Sequence, residues 1–200
     1  MTLVELLASI AIFSILFGII MSHHARFGGA VLLNNLAYDI ALSLRQAQVY
    51  GLSVKEFETG SGQFHTGYGI HFARTSPTTY ILFADRDPAG PGLPNNRYDA
   101  VPACGVVGSE CIESFTLGRG NRIADACGIL PGGAEECFSD AGLSPRVNFL
   151  DIIFVRPDPD ALLVSNRGSA YASVRVTVVS PEGITQDIFT RITGQISVGN

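Results

Sequence analysis

Residues 1–21 read MTLVELLASIAIFSILFGIIM, an apolar run interrupted by one charged side chain, Glu5. As an α-helix rising about 1.5 Å per residue, the run is about 30 Å long, the thickness of a bilayer's hydrocarbon core. An ionised acid at the centre of a span costs about 2.5–3.5 kcal/mol, and less near an end. Glu5 therefore calls for a cation. The nearest is the chain's own α-amine, one helical turn away, and the same amine on a second copy serves equally well. The second pairing predicts self-association through the helix. The simpler alternative is a plain single-pass anchor or an uncleaved signal sequence. A secretory apolar region is shorter, about 7–15 residues, and follows a basic segment that is absent from this stretch.

Beyond the run, Ser22 to Gly29 leads into a second helical pattern from about Ala30 to Tyr50. Leu32, Leu36, Ile40, Leu44 and Ala47 recur at three- and four-residue spacing, while Asn35, Asp39, Arg45 and Gln46 fall largely elsewhere, so one face is made for burial. Gly51 is a natural stop. Each interior glycine of a helix costs about 1 kcal/mol relative to Ala, which makes Gly18, Gly28 and Gly29 the weak points of the rod. His23 and His24 are neighbours in sequence and do not share a helix face, so they read as interfacial polar residues rather than a metal site.

The opening Met1-Thr2-Leu3-Val4-Glu5-Leu6-Leu7, with the apolar residues after it, resembles the mature amino terminus of the type IV pilin and type II secretion pseudopilin superfamily. Members usually begin Phe-Thr-Leu-x-Glu, after cleavage of a basic leader behind a glycine and methylation of the new amine. Met1 stands where Phe is usual, either as the mature residue or as an initiator. The resemblance implies that Met1, Thr2 and Glu5 act in assembly, Glu5 neutralising the terminal amine of the adjacent subunit. It implies an α+β pilin fold: a long N-terminal hydrophobic α-helix followed by an antiparallel β-sheet head with a disulfide-containing loop region. Residues 1–51 would form the helix, with 1–22 the membrane or filament-core part and 30–51 the amphipathic half, and 52–200 the head. It further implies a helical homopolymer on the cell surface, built by a motor ATPase, a platform protein and a prepilin peptidase. Before assembly the subunit would be held in the inner or cytoplasmic membrane. A segment of the helix can unwind on assembly in such proteins, and Gly18 through Gly29 is the candidate. The Leu36 to Gln48 texture resembles minor pseudopilins more loosely, so a major pilin and a minor pseudopilin of a secretion or competence machine both stay open. So does a membrane-anchored extracytoplasmic binding module.

Two hundred residues, less a stalk of about 50, leave enough chain for one head with its own core. A net charge of −5 with only 13 Lys and Arg supplies no overall basic footprint for nucleic acid. The four cysteines, Cys104, Cys111, Cys127 and Cys137, show no Cys-x-x-Cys spacing for a metal, so two disulfides in an oxidising compartment are expected. Short loops close most cheaply, which favours Cys104–Cys111 and Cys127–Cys137. The nearest basic residue to the apolar run is Arg26, after it, which by the positive-inside rule alone would put the head in the cytoplasm. A basic leader, as the family resemblance implies, reverses that.

From about residue 67 the period becomes that of strands. Tyr68–Ala73 and Thr79–Ala84, separated by a Pro-containing turn, read as a hairpin. Further strands are expected at 147–149, 152–156, 172–180, 184–190 and 192–198, with Pro181-Glu182-Gly183 turning one hairpin and Gly194 bulging the last strand. Residues 85–146 read as loop-dominated and contain the cysteines. Asp85, Asp87, Asn95, Asn96 and Asp99 offer oxygen ligands that are distantly similar to a calcium loop, but Pro88 to Pro94 stretches the spacing and the closing Glu is missing. Asp and Asn also favour turns for local reasons. Calcium is the one cofactor left open. No Gly-x-Ser-x-Gly, His-Glu-x-x-His or phosphate-loop pattern occurs, and His65 and His71 read as structural, so no enzyme is expected.

Overall fold

The computed structural model describes residues 2–53, 66–86, 95–100, 103–106 and 108–199, apart from the side chains of 22–28. Met1, His65 and Asp87, and the side chains of His23 and His24, therefore lie outside the described residues.

One helix, α1 (Leu3–Leu52), runs for 50 residues without a break. Leu3–Met21 is apolar on every side and none of it is buried. Further along, Leu33, Ala37, Ile40, Leu44 and Ala47 are buried, spaced alternately by four and three residues. The expected stripe passed through Leu32 and Leu36, which are only half-buried. Repeated steps of four drift about 40° each around a helix of 3.6 residues per turn, so the true face enters through Leu33 and Ala37.

The head holds ten strands among the described residues: β1 (Gly67–Ala73), β2 (Thr79–Asp85), β3 (Cys111–Thr116), β4 (Arg122–Ile129), β5 (Glu135–Cys137), β6 (Phe149–Phe154), β7 (Ala161–Ser165), β8 (Ser173–Val179), β9 (Thr185–Arg191) and β10 (Ile196–Gly199). They form two five-stranded antiparallel sheets, β3-β2-β1-β6-β7 and β10-β9-β8-β4-β5. The stripe of α1 packs on both sheets and shares one core with Ile70, Phe72, Leu82, Ile152, Val176 and Ile188. The class is α+β.

The hairpin β1–β2 lies within one residue of its expected bounds, with Ile70 opposite Leu82 and Phe72 opposite Tyr80. The 147–149 and 152–156 segments are instead one strand, β6, continuous through Asp151. Residues 85–146 are not loop throughout, for β3, β4 and β5 lie there. Most of β3 is exposed, so its alternation is faint. In β4, Asp125 and Gly128 disguise the strand. Glycine is required at 128, because a Cβ there would lie 2.3 Å from the Tyr171 ring. The short β7 carried no strong signal. Gly194, expected to bulge a strand, instead takes φ +76° in the turn joining β9 to β10, where the Gly194 N–H bonds the Arg191 carbonyl at 2.9 Å.

Both disulfides pair locally, Cys104–Cys111 and Cys127–Cys137. The second joins directly opposed residues of β4 and β5. Gly51 does not stop the helix, which continues to Leu52 and is capped by Ser53 in an extended conformation. Gly51 is there for contact: a Cβ would stand 2.2 Å from the Phe154 carbonyl oxygen of β6. Gly51→Ala should therefore force α1 off β6 and cost about 1–3 kcal/mol of head stability. Chemical denaturation of the full chain in a mild detergent, compared with Gly18→Ala where no neighbour lies within 4 Å, checks this.

Candidate functional site

The amino terminus of α1 is closed by a capping box. Thr2 takes the extended conformation of an N-cap; the Glu5 N–H donates to Thr2 Oγ1, and the Thr2 N–H to Glu5 Oε2, each at 3.4 Å. This places the Glu5 carboxylate at the positive end of the helix dipole. The other polar side chains of the apolar half are satisfied within the helix. Ser9 Oγ donates to the Glu5 carbonyl at 2.6 Å and Ser14 Oγ to the Ile10 carbonyl at 2.9 Å. Glu5 is thus left as the one charge of Leu3–Met21. Helical backbone runs through Gly18, Gly28 and Gly29. Gly18 faces open space, whereas a Cβ on Gly29 would come within 3.0 Å of Glu182 Oε2 in the β8–β9 turn.

Far from that terminus, sheet β3-β2-β1-β6-β7 carries three fully buried carboxylates, Asp85, Glu110 and Asp151. Each of their six oxygens has a donor. Asp85 accepts the N–H groups of Asn95 at 3.2 Å and Asn96 at 2.8 Å. Glu110 accepts those of Arg86 at 3.0 Å and Asp99 at 2.6 Å. Asp151 accepts the Tyr98 N–H at 3.0 Å and pairs with His71 Nδ1 at 2.6 Å. The segment from Asn95 to Asp99 is thus strapped to the sheet through four of its own amides. The His71 ring packs on Tyr98, centroids 4.7 Å apart. Four of the five expected calcium ligands, Asp85, Asn95, Asn96 and Asp99, do meet, with Asn95 Nδ2 on Asp99 Oδ2 at 2.8 Å. Their oxygens face N–H donors: Asn95 Oδ1 itself accepts the Arg97 N–H at 3.0 Å. The arrangement holds a strap without requiring an ion. Glu110 and Asp151 escaped sequence reading because each stands singly among apolar or loop residues, with nothing in its spacing to reveal that two distant carboxylates serve one segment. Elsewhere, Asp125 lies beside Cys127 and Cys137, but those sulfurs are bonded to each other and offer no thiolate.

In comparison with known proteins, no family model matches the chain, and no curated protein or solved structure is significantly similar to it.

Burial shifts the carboxylates away from their ordinary behaviour. It pushes Asp85 up to about 6, against the lowering effect of the Asn96 and Asn95 amides. It pushes Glu110 up to about 7, with Asp85 and Asp99 adding repulsion. Asp151 is also raised by burial, although His71 opposes the shift. A carboxyl whose folded pKa exceeds its unfolded value binds protons more tightly when folded, so it lowers stability as pH rises between the two values. The window here runs from about pH 4 to about pH 7. Lowering pH from 8 to 5.5 should raise the head's melting temperature by about 5 °C, and Glu110→Gln should flatten the upper part of that rise. Thermal melts of both proteins across that range give the measurement.

Proposed function

We propose that this chain is a filament subunit of the type IV pilin and pseudopilin kind, held in a membrane by residues 3–21 and polymerising through α1. One observation carries the reading: a continuous helix of 50 residues whose Leu3–Met21 segment is apolar all round and unburied. At about 25 cal/mol per Å² of apolar surface removed from water, such a rod demands either lipid or its own copies. The outward face of the head-borne half extends the same apolar surface through Val31, Tyr38, Leu42 and Val49, all exposed. Their spacings of seven, four and seven residues keep them on one side of the helix.

Glu5 supports the filament over a plain anchor, for a lone acid in a spanning segment lowers insertion without serving attachment. In the isolated subunit it caps its own helix; in a filament it would exchange that weak contact for a neighbour's amine. Disulfides fit a head outside the cytoplasm. A major pilin is the leading assignment, with pseudopilin the alternative within the same kind, and unwinding around Gly18 to Gly29 belongs to the assembled state.

Electron microscopy of filaments sheared from cells carrying wild-type or Glu5→Ala protein, with mass spectrometry of the amino terminus, tests the assignment. Abundant filaments of this chain, starting at a methylated residue and lost in Glu5→Ala, are expected. Filaments of another protein containing a few copies of this one would make it a minor subunit. Membrane-bound monomer in both strains would reject assembly and leave an anchored binding module.

A further inference from the structure

The end of the head nearest the apolar half of α1 can be identified from contacts along the helix. The β8–β9 turn meets α1 at Gly29 through Glu182. The β9–β10 turn meets it at Gln48, whose Nε2 donates to the Gly194 carbonyl at 3.1 Å. Strand β9 therefore runs alongside the helix with its Thr185 end toward Leu3–Met21. Thr185 lies opposite Val179, and Val179 opposite Arg122. The next residue, Ile123, donates its N–H to the Pro77 carbonyl at 2.7 Å, and the Arg74 N–H reaches the Asn148 carbonyl at 2.9 Å. The β1–β2 turn and the start of β6 thus share this end.

Here Arg74, Arg122 and Arg146 line one cavity of about 340 Å³, walled by Pro77, Phe138 and Ser139. This is a local concentration in a chain of net charge −5. Arg74 is steadied by one bond to Asn148 Oδ1 at 3.1 Å. Among the described residues, Arg122 and Arg146 have no acidic partner. The acids nearby are committed elsewhere: Asp125 holds Ser139, Asp140 holds the Gly142 N–H, and Glu182 faces the helix. Guanidinium groups without carboxylates, converging on a concave site, suit a phosphate group, which they can grip with paired N–H donors.

Level matters as much as charge. From Met21 to Gly29 the helix rises about 12 Å. The headgroup layer reaches about 5–8 Å beyond the hydrocarbon on each side, and arginine side chains extend their charge toward such interfaces.

We propose that the cavity lined by Arg74, Arg122 and Arg146 binds the phosphate of an anionic phospholipid headgroup, docking the head on the membrane surface before assembly. The site rests on the reading of residues 3–21 as membrane-inserted. A long polyanion such as nucleic acid would meet the negative remainder of the head, whereas one headgroup engages only the arginines.

The test uses the full chain in vesicles of phosphatidylcholine containing about one quarter phosphatidylglycerol, with retained lipids read by native mass spectrometry. Wild-type protein should retain phosphatidylglycerol about tenfold over phosphatidylcholine, an Arg122→Gln/Arg146→Gln double variant should lose that preference, and Arg156→Gln, outside the cavity, should keep it. Equal retention of both lipids by inserted wild-type protein, or an unchanged preference in the double variant, would overturn the site. So would saturable binding of inorganic phosphate in detergent without any lipid preference, or displacement of phosphatidylglycerol by a short single-stranded oligonucleotide. Flotation with pure phosphatidylcholine vesicles reads insertion separately: if the wild type does not insert, the membrane reading itself has failed.

Discussion

The burial of one stripe of α1, from Leu33 to Ala47, is the contact on which the rest of the head is hung. Two antiparallel sheets each need an apolar face covered, and the helix supplies a cover common to both. Alanine at 37 and 47 is part of that fit, since small side chains let the strands come close; Gly51 carries the approach to its limit against β6. Polar cross-links then fix the registry. Ser43 Oγ and the Tyr80 hydroxyl lie 3.0 Å apart in the interior, and Arg45 and Gln48 reach the backbone of Ile196 and Gly194. A rod gripped over half its length by such a core leaves Leu3–Met21 clear of the head.

The head handles buried charge in two ways. Glu136 is matched by a cation: Arg167 Nε lies 2.8 Å from it, and the Tyr171 and Ser169 hydroxyls donate to it at 2.6 and 2.9 Å. Burial acts to raise its pKa, but these donors prevail and hold it below the usual carboxylate range. Tyr171 also bonds Ser165 at 2.8 Å, so this network ties β7 of one sheet to β5 of the other. Asp85 and Glu110 are matched by backbone amides instead. Amides satisfy the oxygens yet cancel little charge, so desolvation wins and both carboxyls are displaced upward. The first arrangement is a fixed joint between sheets, and the second is a joint whose strength depends on protonation.

The parts legible in the sequence were those in which one local pattern suffices. The apolar run of 1–21, the hairpin of 67–85 and the turn at Pro181–Gly183 each announce themselves through period or turn chemistry, and local cysteine pairing follows from cheap closure of short loops. The missed parts depend on partners far away in sequence. Gly128 looks like a strand breaker until Tyr171 occupies the space above it. Asp151 looks like an interruption between two strands, yet as a full member of β6 it holds His71 and Tyr98. Gly194 sits in an alternating stretch whose turn becomes visible only when Arg191 and Gln195 are seen to pair. The strap carboxylates fall in the same class, for Asp85 and Glu110 meet Asn95 to Asp99 only after β2 and β3 are set side by side.

On the proposed reading, the exposed segment Leu3–Met21 has to be stable in two different surroundings, lipid first and then protein. Lipid removes any need for shape complementarity, so Leu3–Met21 can be apolar all round, with Ser9 and Ser14 folded back onto their own carbonyls. Packing among copies would need shape, and there the glycine at 18, where a Cβ would meet nothing within 4 Å, would leave room for a neighbour. The charges sit where the surroundings change: Glu5 near one end of the span, and the arginine cavity beyond the other. Each has only weak partners within its own chain, so each makes the isolated subunit incomplete in a defined direction. If both proposals hold, leaving the membrane would cost the arginines their headgroup while giving Glu5 a neighbouring amine, so the two ends would oppose each other in deciding when a subunit departs.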